Sequence, residues 1–139
     1  GADLSRVVLG HADFIAGDLP LLKELLQQGI YIEFDFLGNL DVPLAWKPGQ
    51  EKVPPFIPAD SAMVAKTILE LLHQGYEDHI LLSHDVGGKL RLKQYGGTGY
   101  SFILEKFLPH LKMGGVKDEQ IHKIFIENPK KVLTFVAPL

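Results

Sequence analysis

The sequence predicts an α/β protein built on a parallel sheet, and three observations lead there. Short runs rich in branched apolar residues alternate with longer segments of 3.6-residue apolar period. The phrase Glu24-Leu-Leu-Gln-Gln-Gly29 returns as Glu70-Leu-Leu-His-Gln-Gly75, and each copy is followed by a run that ends in aspartate. Both copies read as helix, glycine end, then strand. Strand followed by helix, three times over, implies parallel strands joined by helical crossovers.

Taken in order, residues 6–11 (Arg6-Val-Val-Leu-Gly-His11) read as a first strand, and residues 19–28 as a helix closed by Gly29. Residues 31–36 form the second strand. Asp60 caps a second helix whose apolar positions Val64, Ile68, Leu71 and Leu72 share one face, with Lys66, Glu70 and His73 opposite. Gly75 stops it, and residues 80–85 (Ile80-Leu-Leu-Ser-His-Asp85) are the third strand. A helix follows around residues 100–113, with Pro109 as a kink or early end. Residues 118–126 give a short helix whose Asp118 and Glu119 suit the positive end of its dipole. Asn128-Pro129 offers an N-cap with proline at the first position of a last short helix. Residues 38–58 carry five of the nine prolines and read as a long loop of the kind that bears function.

Composition narrows the function classes. With 139 residues, 46% hydrophobic and 22% charged, the chain is of globular type and the length of one ordinary domain. A net charge of −3 gives no basic face for nucleic acid or an anionic membrane. No apolar run reaches the roughly 18 residues of a membrane helix, and the first residues lack the pattern of a signal peptide. The expected location is cytoplasmic. With no cysteine, a disulfide scaffold, a thiolate metal site and a cysteine nucleophile are all excluded. Any metal would use imidazole and carboxylate donors.

Size sets a puzzle. Three parallel strands make a small sheet with two long apolar edges. A complete (β/α)₈ barrel takes roughly 250 residues, about twice this length, so the sequence reads as part of one.

Ligands of such folds sit beyond the carboxyl ends of the strands. Those ends here are His11, Asp35 and Asp85. Alternation places Val7, Leu9 and His11 on one face, and Leu81, Ser83 and Asp85 likewise. An imidazole and a carboxylate converging there suit a divalent metal, and the carboxylate can also accept a proton; hydrogen-bonded structure and a helix cap are the bland readings. His84 points the other way, toward the packing helices. His73, His110 and His122 fall at polar helical positions, and His79 caps the turn before the third strand. Ser83 has no Gly-x-Ser-x-Gly elbow around it. Gly96-Gly97-Thr98-Gly99 lacks the Gly-Lys-Ser/Thr ending of a phosphate loop and reads as a flexible turn. Lys89, Arg91 and Lys93 form a basic cluster, either a solvated loop or an attractor of anionic substrate.

Together these segments resemble the phosphotriesterase family of the amidohydrolase superfamily, in particular its phosphotriesterase-related branch. The likeness runs from Arg6 to Phe135. It is carried by Arg6-Val-Val-Leu-Gly-His-Ala-Asp13, Tyr31-Ile-Glu-Phe-Asp-Phe-Leu-Gly38, Ile80-Leu-Leu-Ser-His-Asp85, Arg91-Leu-Lys-Gln-Tyr-Gly-Gly-Thr-Gly-Tyr-Ser-Phe-Ile-Leu104 and Glu127-Asn-Pro-Lys-Lys-Val-Leu-Thr-Phe135. The resemblance implies that residues 1–139 are the C-terminal part, strands 6–8 and their helices, of a TIM (β/α)₈ barrel. It implies a binuclear zinc (Zn2+) hydrolase in which a metal-bridging hydroxide attacks a small amide, lactone or ester. His11 then matches the strand-6 metal ligand, and Asp85 the strand-8 ligand that serves as catalytic proton acceptor. Asp13 occupies a position that binds substrate or relays a proton. Lys89, Arg91, Tyr95 and Tyr100 are the further substrate-binding candidates.

Two departures matter. The family's remaining ligands come from strands 1, 4 and 5, so this chain by itself is expected to lack activity. Phe36 stands where true phosphotriesterases carry a relay histidine, which disfavours phosphotriesters as substrates. The alternative is a catalytically silent α/β binding module that self-associates into a homo-oligomer, closing its sheet edges.

Overall fold

The computed structural model describes residues 2–39 and 60–135. It contains a three-stranded sheet, β1 (Val8–Leu9), β2 (Tyr31–Phe34) and β3 (Ile80–Leu82), in the order β1-β2-β3 with both pairs parallel. Val8 and Leu9 pair with Tyr31 and Ile32; Ile32, Glu33 and Phe34 pair with Ile80, Leu81 and Leu82. Among the described residues each crossover carries one α-helix, α1 (Leu19–Gln27) and then α2 (Ser61–His73). The parallel α/β reading therefore stands. Beyond Asn39, the long proline-rich loop lies outside the described residues.

Local signals explain the helices. The Asp18 carboxylate accepts from the Leu21 N–H, Pro20 sits in the first turn of α1, and Asp60 accepts from the Met63 N–H of α2. Both helices end before a glycine in the left-handed region, Gly29 at φ 84° and Gly75 at φ 81°. Val64, Ile68, Leu71 and Leu72 face inward, while Lys66, Glu70 and His73 are exposed.

The core forms where these helices cover the sheet. Ile32, Phe34 and Ile80 from the strands meet Leu22, Val64, Ile68, Leu71 and Leu111, all without solvent exposure. Each contributes roughly 1.5–3 kcal/mol relative to an exposed side chain. Thr67, the polar residue on the buried face of α2, donates to the Ala16 carbonyl at 2.7 Å.

Three expectations are corrected. The strands are shorter than the apolar runs: β1 ends at Leu9, β2 at Phe34 and β3 at Leu82, with one last ladder hydrogen bond from the Ser83 N–H to the Phe34 carbonyl at 3.0 Å. Pro109 does not simply kink one helix: a π-helical turn, Ile103–Phe107, leads into α3 (Leu108–Met113), with the proline in the first turn of α3. Asn128 is not an N-cap. Helix α4 (Asp118–His122) passes through a second π-helical turn, Lys123–Glu127, into α5 (Asn128–Leu133) with right-handed backbone throughout. The fully buried Asn128 side chain instead donates to the carbonyls of Glu77 and Ile80, at 2.7 and 2.9 Å. Among the described residues no helix is long and apolar enough to cross a membrane.

Candidate active site

Beyond the carboxyl end of β1 the chain turns sharply, and His11 takes left-handed backbone at φ 55°. A non-glycine residue there costs on the order of 1–2 kcal/mol. Asp35, just past β2, holds the turn in place. Its Oδ2 accepts from the His11 backbone N–H at 3.0 Å and its Oδ1 from the His11 Nδ1 at 2.6 Å. Gly10 makes room, because a Cβ there would lie 3.1 Å from Asp35 Oδ2. The Asp35 hydrogen bond raises the His11 pKa; slight desolvation opposes it, and the charges of Asp35, Asp85 and Asp13 add to it. With Nδ1 committed and the side chain 55% exposed, Nε2 is left to meet a ligand.

Asp13 lies one layer deeper, 1% exposed. Its Oδ2 accepts from the backbone N–H groups of Asp35 at 2.8 Å and Phe36 at 3.1 Å. Burial pushes its pKa up to about 6 against the opposing backbone hydrogen bonds. The carboxylate thus pins the end of β2, and through it the residue that orients His11.

Asp85 follows β3 and is the second non-glycine residue with positive φ, at 45°. Arg91 donates through Nη1 to the Asp85 carbonyl and, at 3.1 Å, to its Oδ2. The guanidinium lies 4.8 Å from the centre of the Phe36 ring, which also packs on Phe14. Below Arg91 the glycine turn is fixed rather than loose. Gly97 donates to Leu92 O and Gly99 to Arg91 O, and a Cβ on Gly97 would come within 2.2 Å of the Arg91 backbone. Thr98 donates to the Gly38 carbonyl at 2.7 Å, joining this turn to the end of β2.

The other sequence candidates are spread around the same rim. Lys93 is neutralised by Glu105 at 2.6 and 2.7 Å, while Lys89 lies 5.5 Å from the centre of the Tyr95 ring. Tyr95 and Tyr100 are exposed, at 48% and 68%. His84 turns inward as expected: its Nε2 accepts from the Ile103 N–H at 3.2 Å, and desolvation lowers its pKa. A hollow of about 250 Å³ opens between Gly38, Asn39, Leu90, Arg91 and Thr98. A larger one, about 470 Å³, lies at the opposite ends of the strands beside Arg6, Tyr31 and Lys131, away from this chemistry.

The structure therefore ties His11 to Asp35 and Asp13 and, separately, Asp85 to Arg91, with the Phe36 ring between the two sets, and leaves Tyr95 and Tyr100 outside both. Sequence reading placed Asp35 only as a strand end and missed it as the partner of His11. Parallel register carried that signal, since Leu9 pairs with Ile32 and both chains then run on to these residues. Among the described residues no group of three or more histidine, cysteine, aspartate or glutamate side chains could hold a metal ion. His11 and Asp85 offer two donors.

The chain is similar to known proteins in sequence and in fold. An N-acetyltaurine hydrolase of Dictyostelium discoideum is 39% identical over 136 residues, covering 98% of this chain and 35% of its own length. The solved structure of a resiniferatoxin-binding protein from Rhodobacter sphaeroides superposes with a TM-score of 0.84 at 38% identity, over 95% of this chain and 35% of that one. The phosphotriesterase homology protein from Escherichia coli, solved with phosphate in its active site, gives 0.74 at 27% identity, over 94% and 39%. This chain thus spans little more than a third of each. The structural neighbours are phosphotriesterase-like TIM barrels, and a small parallel sheet with helices between its strands is consistent with part of such a barrel. The sequence pattern of the phosphotriesterase family matches residues 1–133, and the chain belongs to that family.

Proposed function

We propose that this chain supplies strands 6–8 of a phosphotriesterase-type (β/α)₈ barrel, and that the complete barrel is a zinc-dependent hydrolase of small N-acyl amides. One observation carries the reading. Two strained strand ends present His11 and Asp85 at the carboxyl side of the sheet, and His11 is oriented by a carboxylate. A ligating histidine commonly donates its other ring N–H to such a partner. The donor chemistry fits zinc, which takes imidazole nitrogen and carboxylate oxygen. The two donors form an incomplete set, and the remainder would come from barrel strands outside this chain.

Zinc held there would polarise the scissile carbonyl and make water a stronger nucleophile near neutral pH. The rest falls to the chain's own residues. Asp85 accepts the proton of the attacking water and passes it to the departing nitrogen. Asp35 fixes the ring plane of His11, and Asp13 fixes Asp35. Phe36, 8% exposed and lying beneath the Arg91 guanidinium, provides no proton relay. That supports an acyl substrate over a phosphotriester. N-acetyltaurine, the substrate named for the relatives, is such an amide.

The test joins this chain to the missing barrel strands and measures bound zinc and turnover of two amides, N-acetyltaurine and its neutral counterpart N-acetylethanolamine, beside a lactone. About two metal ions per barrel, amide turnover, and a loss of roughly 10³-fold or more in Asp85→Ala are expected. The chain alone is expected to be inactive. A metal-free, inert complete barrel overturns the reading.

A further inference from the structure

We propose that Arg91 is the receptor for an acid group on the substrate, so that the site selects small amides whose amine portion ends in a sulfonate or carboxylate. This rests on the hydrolase reading above and adds to it the determinant of specificity.

The argument begins with how Arg91 is held. Its Nη1 is spent on the Asp85 carbonyl and carboxylate. Among the described residues, the Nε and Nη2 edge of the guanidinium has no hydrogen-bond partner. That edge is a planar fork that matches the paired oxygens of a carboxylate or sulfonate. The residue is held at both ends as well: the guanidinium carbon lies over the Phe36 ring, 4.8 Å from its centre, and Gly97 packs on the Arg91 backbone where any side chain would collide. A receptor held in place before binding loses little entropy when the ligand arrives.

Charge and shape agree. Of the three cations on this loop, Glu105 neutralises Lys93 and Asp85 engages one end of Arg91. Lys89 makes no ion pair among the described residues and rests near the Tyr95 ring. Lys89 is thus a cation on this loop that no carboxylate among the described residues neutralises. At about 250 Å³ the hollow lies below the roughly 300–1,000 Å³ of drug-sized ligand sites, so it suits a small group. Leu90, 75% exposed, gives it an apolar wall. Because Arg91 touches Asp85, an acid held on its free edge needs only a short linker to bring a scissile amide to that carboxylate.

The experiment uses the complete barrel in wild-type form and as Arg91→Met and Arg91→Lys, with thermal melts to confirm folding. It measures kcat and KM for the two amides above, and binding of ethanesulfonate by calorimetry. The expected result is that Arg91→Met lowers the ratio of kcat/KM for the sulfonate amide over the neutral one about 10- to 100-fold. Most of the change should lie in KM, ethanesulfonate binding should weaken by a similar factor, and Arg91→Lys should restore part of both. If Arg91→Met slows both amides equally and leaves ethanesulfonate binding intact, the receptor is overturned while the hydrolase stands. If the barrel hydrolyses neither amide yet binds ethanesulfonate through Arg91, the hydrolase reading fails and the receptor stands.

Discussion

The two ends of the sheet are built differently. At the amino ends of the strands, backbone groups meet fixed partners. Arg6 donates to the carbonyls of Lys131, Val132 and Thr134, at 2.8, 3.2 and 2.8 Å, and Asn128 reaches the carbonyls of Glu77 and Ile80. Asp78 pairs with Lys123 at 2.8 Å. At the carboxyl ends two non-glycine residues sit on left-handed backbone, and an imidazole and a carboxylate are held toward solvent. One end ties backbone carbonyls to side-chain donors, although Glu77 Oε2 and Asn128 Oδ1 lie buried there without a partner among the described residues; the other keeps two of its most reactive groups accessible at a cost in strain. This division teaches where stability and chemistry reside, and substitutions at either end can test it.

The largest effect should come from Asn128→Ala. One buried and one part-buried carbonyl would lose their donor, which costs about 2–3 kcal/mol, read as a lower urea midpoint with unchanged m-value. A midpoint shift worth less than about 0.5 kcal/mol would show that this end is not held as described. Next, Arg6→Met removes three hydrogen bonds from an exposed guanidinium and should lower stability by about 1 kcal/mol. Asp85→Gly should go the other way. Relief of its left-handed backbone outweighs a partly exposed ion pair, so stability rises by about 0.5–1 kcal/mol while the candidate ligand is lost. A destabilised Asp85→Gly would erase the contrast between the ends.

The smallest effect concerns acid. The Lys123 hydrogen bond holds the Asp78 carboxyl below its ordinary value of 3.8, with Lys131 adding to it. A group depressed on folding stabilises above its unfolded pKa, and that contribution fades as pH falls below about 3.8 through the folded value. Asp78→Asn should therefore flatten the urea midpoint between pH 5 and roughly pH 3, relative to wild type. An unchanged slope would mean that the pair contributes nothing measurable.

These ends differ also in how legible they were. The helices, their aspartate caps and their glycine stops could be read from the chain, because each depends on residues within one or two turns of one another. The apolar face of α2 followed directly from its spacing. His11 and Asp85 could be placed at strand ends by alternation, but the positive φ of each could not, since it goes with tertiary partners, Asp35 for His11 and the Arg91 side chain for Asp85, that strand alternation does not reveal. Asp35 reaches His11 across 24 positions. Asn128 looked like a cap because Asn-Pro is a local signal, yet a contact 48 residues away at Ile80 determines its role. The glycine turn read as flexible because nothing nearby in sequence shows that Gly97 presses on Arg91.

The two π-helical turns carry a consequence for how this segment tolerates change in length. Each turn accommodates one residue more than a regular α-helix would, and each stands just before a residue that must face inward, Leu111 in one case and Asn128 in the other. Deleting a single residue within either turn would let the helix close regularly with Leu111 or Asn128 still facing inward, whereas deleting one from a regular stretch beyond the turn would rotate everything after it by about 100°. The two turns are thus the places where these helices can lose a residue without a change of angular phase, and relatives that vary in length are expected to place their gaps there.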